Sequence, residues 1–348
     1  MLTSLRLLDF RCYHRFQWDI PAEGSIIIGD NAQGKTSLLE AVCFLLRLQS
    51  PRSSRTAPMI AHDRPGFGIS GDLLSQRRKI LWGNKEAKLF VNQEQRPDQK
   101  SYLTDSFPVV WMGNNDLHFV TQSAENRRKY LDFLGSQWNP LYRQEWSRYR
   151  HALKNRNYLL KHKSGDKRQI EAFTILLAEH GEALILLRQS LLALLKPHLT
   201  RAYNHLCNSQ EDLHLEYKSI LPGNLFTSLQ NNWQQDLRYG QTQIGPHRDD
   251  IIITLNGQSA QQFASEGQQR SIAIALRLAQ SSLLTQETGL NPIHLIDDVF
   301  GELDPKRRLA LLTYLSSDSQ NLITTTHLDW LKDSPIPLPL LDLKNMNH

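Results

Sequence analysis

Apolar residues run continuously over short stretches near both ends of the chain and recur at helical spacing in its middle. Leu5-Arg6-Leu7-Leu8-Asp9-Phe10 and Ser25-Ile26-Ile27-Ile28 read as strands, with Pro21 to Gly24 as the turn between them. Thr36 to Leu48 is mostly apolar and free of glycine and proline, which predicts a buried helix ending before Pro51. Turn residues dominate from Pro51 to about Pro108, around short strands at Ile80-Leu81-Trp82 and Lys88-Leu89-Phe90-Val91. That texture predicts a mixed or antiparallel sheet beside the first core. From about Leu117 to Ser209 the patterns are helical. After Pro140, Tyr142, Trp146, Tyr149, Leu153 and Leu160 form one apolar stripe, while Arg143, Arg150, Lys154 and Lys161 share another face about a quarter turn away. The stripe reads as packing rather than base stacking. Strands return at Leu213 to Tyr217 and Asp250 to Leu255, the second closed by the turn pair Asn256-Gly257. A helix from Gln268 to about Leu284, a strand Ile293 to Ile296, a helix from Pro305 to Leu315 and a strand Asn321 to Thr324 complete the chain. The expected fold is an α/β head with mixed sheets, interrupted by a mainly helical lobe. The expected division is 1–117 and 211–348 for the head and 118–210 for the lobe.

Composition narrows the class. With 348 residues and 40% hydrophobic content, the chain can bury one large domain or a domain plus a lobe. Cys12, Cys43 and Cys207 are far apart and form no CxxC pair, which argues against a disulfide framework or a zinc site. The N-terminus lacks the apolar core of a signal peptide, and Leu184 to Leu195 is interrupted by Arg188 and Gln189 and too short to span a bilayer. The expectation is a cytoplasmic protein without a membrane partner. The net charge of +5 is segregated. Arg127 to Arg168 holds twelve Lys/Arg against Asp132, Glu145 and Asp166, so this segment carries an excess of nine positive charges and the remainder is net acidic. Such a segment suits a polyanion surface, although a solvated helix face is the plainer reading of a charge run.

Chemistry concentrates in three places. Gly29-Asp30-Asn31-Ala32-Gln33-Gly34-Lys35-Thr36, followed by Ser37, satisfies G-x-x-x-x-G-K-[ST] between an apolar strand and a helix. Backbone N–H groups and the helix N-terminus there can cradle the phosphates of ATP. Lys35 neutralises β/γ-phosphate oxygens, and the Thr36 hydroxyl ligates Mg²⁺. Asp297 and Asp298 end an apolar strand, where Asp297 suits Mg²⁺ and Asp298 suits orienting the attacking water; a helix N-cap is the structural alternative. Ser265-Glu266-Gly267-Gln268 opens a helix as a second anion-binding end, with Ser265, Gly267 and Gln268 as its ligands. The P-loop already surrounds its own phosphates, so this end suits a nucleotide held by a second copy in a twofold dimer. Asp304 would lie at that seam, and His327, after the last apolar strand, would reach the γ-phosphate.

These residues resemble the RecF family of bacterial DNA replication and repair proteins, compact members of the SMC/Rad50 branch of ABC-type ATPases. The resemblance covers nearly the full length. It rests on Leu5 to Tyr13, the P-loop, Arg127-Arg128-x-x-Leu131-Asp132, Leu153-Lys154-x-Arg156-Asn157, Gly245-Pro246-His247-Arg248-Asp249-Asp250, Ser265 to Arg270, Ala275 to Ala279, and Leu295 to Asp298 with Glu302-Leu303-Asp304. It implies ATP-dependent dimerisation, weak DNA-stimulated ATP hydrolysis, and binding of duplex and gap-junction DNA, with single-stranded DNA as a further form. It also implies RecA loading with RecO and RecR. Arg127, Arg128, Lys154 and Arg156 are the expected DNA contacts. Glu266, Gly301, Asn115 and Ala124 depart from the common pattern, and Asp298 stands where general ABC ATPases carry Glu, which implies slow turnover. A head coupled to a nuclease and a transporter's ATPase subunit are the competing classes. The first lacks an added cluster of acids and histidines, and the basic insertion argues against the second.

Overall fold

The computed structural model describes residues 1–53, 55–162, 167–207, 211–219, 223–315, 318–330 and 338–345. Asp166 and the expected helical limit at Ser209 lie outside them. In chain order, the first elements are β1 (Leu2–Phe10), β2 (Tyr13–Asp19), β3 (Gly24–Ile28), α1 (Lys35–Arg47), β4 (Gly66–Leu73), β5 (Arg77–Gly83), β6 (Glu86–Val91), β7 (Glu94–Arg96), α2 (Gln99–Leu103) and β8 (Val109–Gly113). Next come α3 (His118–Thr121), α4 (Ala124–Trp138), α5 (Pro140–His162), α6 (Lys167–Cys207), β9 (Leu213–Lys218), α7 (Leu225–Asn231), α8 (Trp233–Tyr239), β10 (Asp250–Leu255), β11 (Gln258–Ser259) and α9 (Ala260–Phe263). Last are α10 (Glu266–Thr288), β12 (Ile293–Asp297), α11 (Pro305–Tyr314), β13 (Asn321–Thr325) and β14 (Leu340–Asp342).

The chain forms two compact units, 1–114 with 284–348 and 115–283. This division differs from the one expected from sequence. The second unit extends past 210 because β9 and β10 pair with each other and pack on α6 and α4 of the same unit. The helical texture that set the expected boundary ends there, but the hydrophobic packing does not.

In the first unit, β14-β3-β13-β12-β8 is a parallel sheet and β2-β1-β4-β5-β6-β7 an antiparallel one. Strands β3, β8, β12 and β13 are almost continuously buried, as expected of parallel strands covered on both faces. Helix α1 packs against β8, β12 and β13 of one sheet and β1, β4 and β5 of the other. Accordingly, every residue from Ser37 to Arg47 is buried, which explains why this helix shows no polar face in the sequence.

The second unit combines the long hairpin of α5 and α6 with the antiparallel sheet β11-β10-β9. Leu255 pairs with Gln258 across Asn256 (φ 51°) and Gly257 (φ 75°), the two left-handed residues that a tight two-residue hairpin turn requires. Tyr142, Tyr149 and Leu160 of the α5 stripe are buried, and Trp146 and Leu153 are half-buried. Among the described residues, no helix is long and apolar enough to cross a membrane.

Candidate nucleotide site and nucleic-acid interface

The parallel sheet delivers its ligand residues at the carboxyl ends of its strands, where open α/β sheets bind ligands. β3 leads into the loop Gly29–Gly34, β12 ends on Asp297, and β13, between them, supplies Thr324. Thr324 stands opposite Asp297 on one side and Ile27 on the other. Its hydroxyl donates to Asp297 Oδ1 at 2.9 Å and accepts from the Asp298 N–H at 3.0 Å. Thr36 Oγ1, 261 positions earlier in the chain than Asp297, donates to the same Oδ1 at 2.8 Å. One carboxylate oxygen thus collects the P-loop threonine and the β13 threonine.

The loop itself is held open by its glycines and by self-contacts. Gly34 adopts φ 91°, and a Cβ there would come within 2.6 Å of Cys12 Sγ and of the Tyr13 hydroxyl, so only glycine fits. The Gln33 side chain accepts from the Asp30 N–H at 2.7 Å. Lys35 Nζ donates to the carbonyls of Gly29 (2.7 Å) and Asp30 (2.9 Å). A phosphate oxygen offers that ammonium a charged acceptor in place of two neutral ones, and charged acceptors make the stronger bonds. Lys35 is buried, and burial pulls its pKa down against the opposing fields of Asp298, Asp297 and Asp30. Asp297 is pushed up by burial, opposed by its bonds from Thr36 and Thr324.

A cavity of about 450 Å³ lies over these groups, lined by Asn31 to Ser37, Asp297 and Asp298, together with Arg11, Cys12, Arg52, Pro58 and Ile60. Thr36 and Asp297 offer it oxygen donors only, the set that suits Mg²⁺. The N-cap alternative for the acidic pair does not hold. Asp297 belongs to β12, and the following short 3-10 helix Phe300–Glu302 has Val299 at its N-cap position. Sequence reasoning missed Thr324, because a threonine at a strand end carries no signal until its register with Asp297 is known. It also missed Arg11, whose guanidinium forms a two-pronged pair with the buried Glu40.

The remaining expected nucleotide residues are not part of that cavity lining. Ser265 and Gln268 form a reciprocal capping box at the start of α10: Ser265 N–H donates to Gln268 Oε1 (2.8 Å), and Gln268 N–H donates to Ser265 Oγ (3.3 Å). Gln268 Nε2 also donates to Glu211 at 2.6 Å, and Glu266 pairs with Arg270 at 3.0 Å. Gly267 is half-buried, and its carbonyl accepts from the Ser271 hydroxyl at 2.9 Å. Asp304 caps α11, accepting from the Arg307 N–H at 3.0 Å and pairing with its guanidinium. His327 is exposed; its ring lies 3.6 Å from the position a Cβ on Gly301 would take.

Two of the four expected DNA contacts are corrected. Arg156 is fully buried, donating to Asp236 (2.7 Å), Thr242 (2.6 Å) and Thr174 (2.9 Å). Arg127 is buried as well and pairs with both oxygens of Asp250, at 2.7 and 3.0 Å. Both serve the inside of the second unit. Arg128 is half-buried and donates to the Asp249 carbonyl at 2.6 Å, and Lys154 is exposed. His247, Asp249 and Asn157 share the inner role. Tyr149 meets His247 Nδ1 at 2.6 Å, Asp249 accepts from Tyr217 at 2.6 Å, and Asn157 accepts twice from Thr242. On α5, by contrast, Arg150, Lys154 and Lys161 face solvent beside the half-buried Arg143.

The model of the RecF/RecN/SMC N-terminal domain matches residues 1–335. A DNA replication and repair protein RecF from Enterococcus faecalis is 32% identical over 352 residues, covering 95% of this chain and 94% of that protein. The chain belongs to the RecF family. A structure of the recombination mediator protein RecF with ATP in the RecFOR pathway superposes with a TM-score of 0.85 at 29% identity, covering 94% of this chain and 92% of that one. An Smc head domain from Pyrococcus furiosus, bound to the C-terminal domain of ScpA, has a TM-score of 0.52 at 14% identity and covers 96% of this chain and 91% of its own. This second likeness establishes a shared fold alone.

Proposed function

We propose that this RecF-family chain is an ATP-dependent DNA-binding protein of recombinational gap repair and replication restart. It dimerises on DNA with ATP, hydrolyses ATP slowly, and assists RecA loading with RecO- and RecR-type mediators in the cytoplasm. The observation that carries this reading is the 2.8 Å bond from Thr36 to Asp297, which joins the P-loop to the acidic strand end over one cavity. There Lys35 receives phosphate charge, Thr36 and Asp297 hold Mg²⁺, and Asp298 orients the attacking water, with His327 as a further contact to the γ-phosphate. Mg²⁺ supplies charge stabilisation at the phosphates. Ser265, Gly267 and Gln268 of one copy complete the site of the other, and Asp304 joins that seam. Duplex DNA lies along Arg143, Arg150, Lys154 and Lys161 of α5, with Arg128 as a second contact. Phosphate contacts of this kind bind without reading sequence.

The test is ATP turnover with and without duplex DNA, combined with the salt dependence of DNA binding. Turnover should be slow, rise with DNA, and fall by roughly 10²-fold or more in Asp298→Asn, the scale of losing a general base. Neutralising Arg150, Lys154 and Lys161 should reduce the slope of log affinity against log salt by about 0.9 for each phosphate no longer neutralised. An unchanged slope would remove α5 from the DNA surface. DNA cleavage in Mg²⁺ or Mn²⁺ that Asp297→Ala abolishes would favour the head-plus-nuclease reading instead.

A further inference from the structure

The backbone of Asp298 is left-handed, with φ 53°, in a region that residues with a Cβ enter at a cost and that clusters at functional sites. Its carboxylate lines the nucleotide cavity and has no hydrogen-bond or ion-pair partner among the described residues. The direction of that carboxylate is therefore set by the backbone that carries it. The N–H of the same residue donates to Thr324 Oγ1 at 3.0 Å. A hydroxyl has one proton to give and lone pairs with which to receive. That of Thr324 gives its proton to Asp297 Oδ1 at 2.9 Å, while the Ile296 carbonyl stands farther off at 3.5 Å. Both roles of the hydroxyl are in use at once, and together they fix its orientation. Thr324 is fully buried near the end of β13 and does not line the cavity, so it serves the acidic strand end from behind.

We propose that Thr324 is a positioning residue for ATP hydrolysis, holding Asp298 in its left-handed conformation so that the carboxylate faces the attacking water. A strand residue with only a packing role needs its branched shape, and valine supplies that as well as threonine does. The geometry here uses the hydroxyl. Without it the part-buried N–H of Asp298 loses its acceptor, and an amide left unsatisfied costs more than an ordinary hydrogen bond contributes. Residue 298 then gains by rotating out of the left-handed region. Thr36 still donates to Asp297 Oδ1 at 2.8 Å, so the P-loop stays joined to the acidic strand end and nucleotide binding is kept. The proposal rests on the reading of Asp298 as the group that orients water, and adds what sets its direction.

The experiment measures kcat and KM for ATP, and the affinity for ADP, in the full chain. The variants are Thr324→Val, Thr324→Ser, Asp298→Asn and the double variant Thr324→Val with Asp298→Asn. Thr324→Val should lower kcat by about tenfold or more, the scale of one lost hydrogen bond. Its KM and ADP affinity should stay within about twofold of wild type, since the interaction lost acts on turnover and not on binding. Thr324→Ser should turn over at close to the wild-type rate, because it keeps the hydroxyl. In the Asp298→Asn background, Thr324→Val should lower kcat no further, since the group it positions is already gone. If the valine variant loses ADP affinity through misfolding, Thr324→Cys takes its place with the same expectation, its thiol being only a weak donor and acceptor. A valine variant with wild-type kcat, a serine variant as slow as the valine one, or losses that multiply in the double variant would each overturn the proposal. Wild-type turnover in Asp298→Asn would instead overturn the reading of Asp298, and the proposal with it.

Discussion

Arg156 and Lys154 are two positions apart on α5 and have opposite fates. Lys154 points to solvent, while Arg156 enters the unit and meets Asp236, a residue 80 positions away in sequence. Nothing local in the sequence separates them, since both occur in the same family motif and both are cations. The partner decides, and the partner is distant. Arg156→Ala should therefore cost roughly 3–5 kcal/mol of stability by leaving Asp236 buried and unpaired. Lys154→Ala should be close to neutral for stability and weaken DNA binding. Urea denaturation of both variants checks this, and equal stability of the two would contradict the inner role of Arg156. By contrast, the P-loop residues are legible from the sequence, because their spacing between a strand and a helix specifies the chemistry.

At the scale of elements, regular patterns are legible in the sequence and irregular ones are not. The Asn256-Gly257 hairpin and strand β10 match the expected positions because two left-handed residues between alternating apolar strands leave few alternatives. Strand β4, Gly-Phe-Gly-Ile-Ser-Gly-Asp-Leu, escapes prediction, since glycines weaken a strand's own preference; Gly71 is needed there because a Cβ would press within 2.8 Å of Leu45 on α1. Strand β14 escapes it too: it is three residues long and is defined by its pairing with β3. The turn Gly245 to Asp250 shows how an element depends on buried chemistry. His247 is held between Tyr149 and the Thr242 carbonyl, and burial pushes its pKa down to about 4 from 6.5. The unfolded chain binds a proton at this site below about pH 6.5, whereas the folded chain does not until about pH 4. Stability from His247 is thus present above that window and lost as pH falls through it. Denaturation of wild type and His247→Gln at pH 7 and pH 5 should show a smaller acid loss in the variant. An equal loss would mean that His247 does not carry this linkage.

For the whole molecule, the segment Ser265 to Gln268 at the start of α10 is the feature whose proposed role depends most on a second copy. Within one chain, Ser265 and Gln268 satisfy each other as a helix cap, a role that any capping box fulfils. The helix N-terminus that they frame remains suited to an anion, and in the proposed dimer ATP bound on the partner would supply one. In the proposed dimer, coupling to ATP would bring the two basic lobes together only when nucleotide is bound, since a ligand that binds one state shifts the equilibrium by mass action. Sedimentation velocity with ATP, with ADP and without nucleotide tests this most directly, on wild type, Lys35→Ala and Ser265→Arg. The expected result is a dimer for wild type with ATP and a monomer in every other combination; a dimer that forms without ATP, or wild type that stays monomeric with ATP, would contradict the shared site.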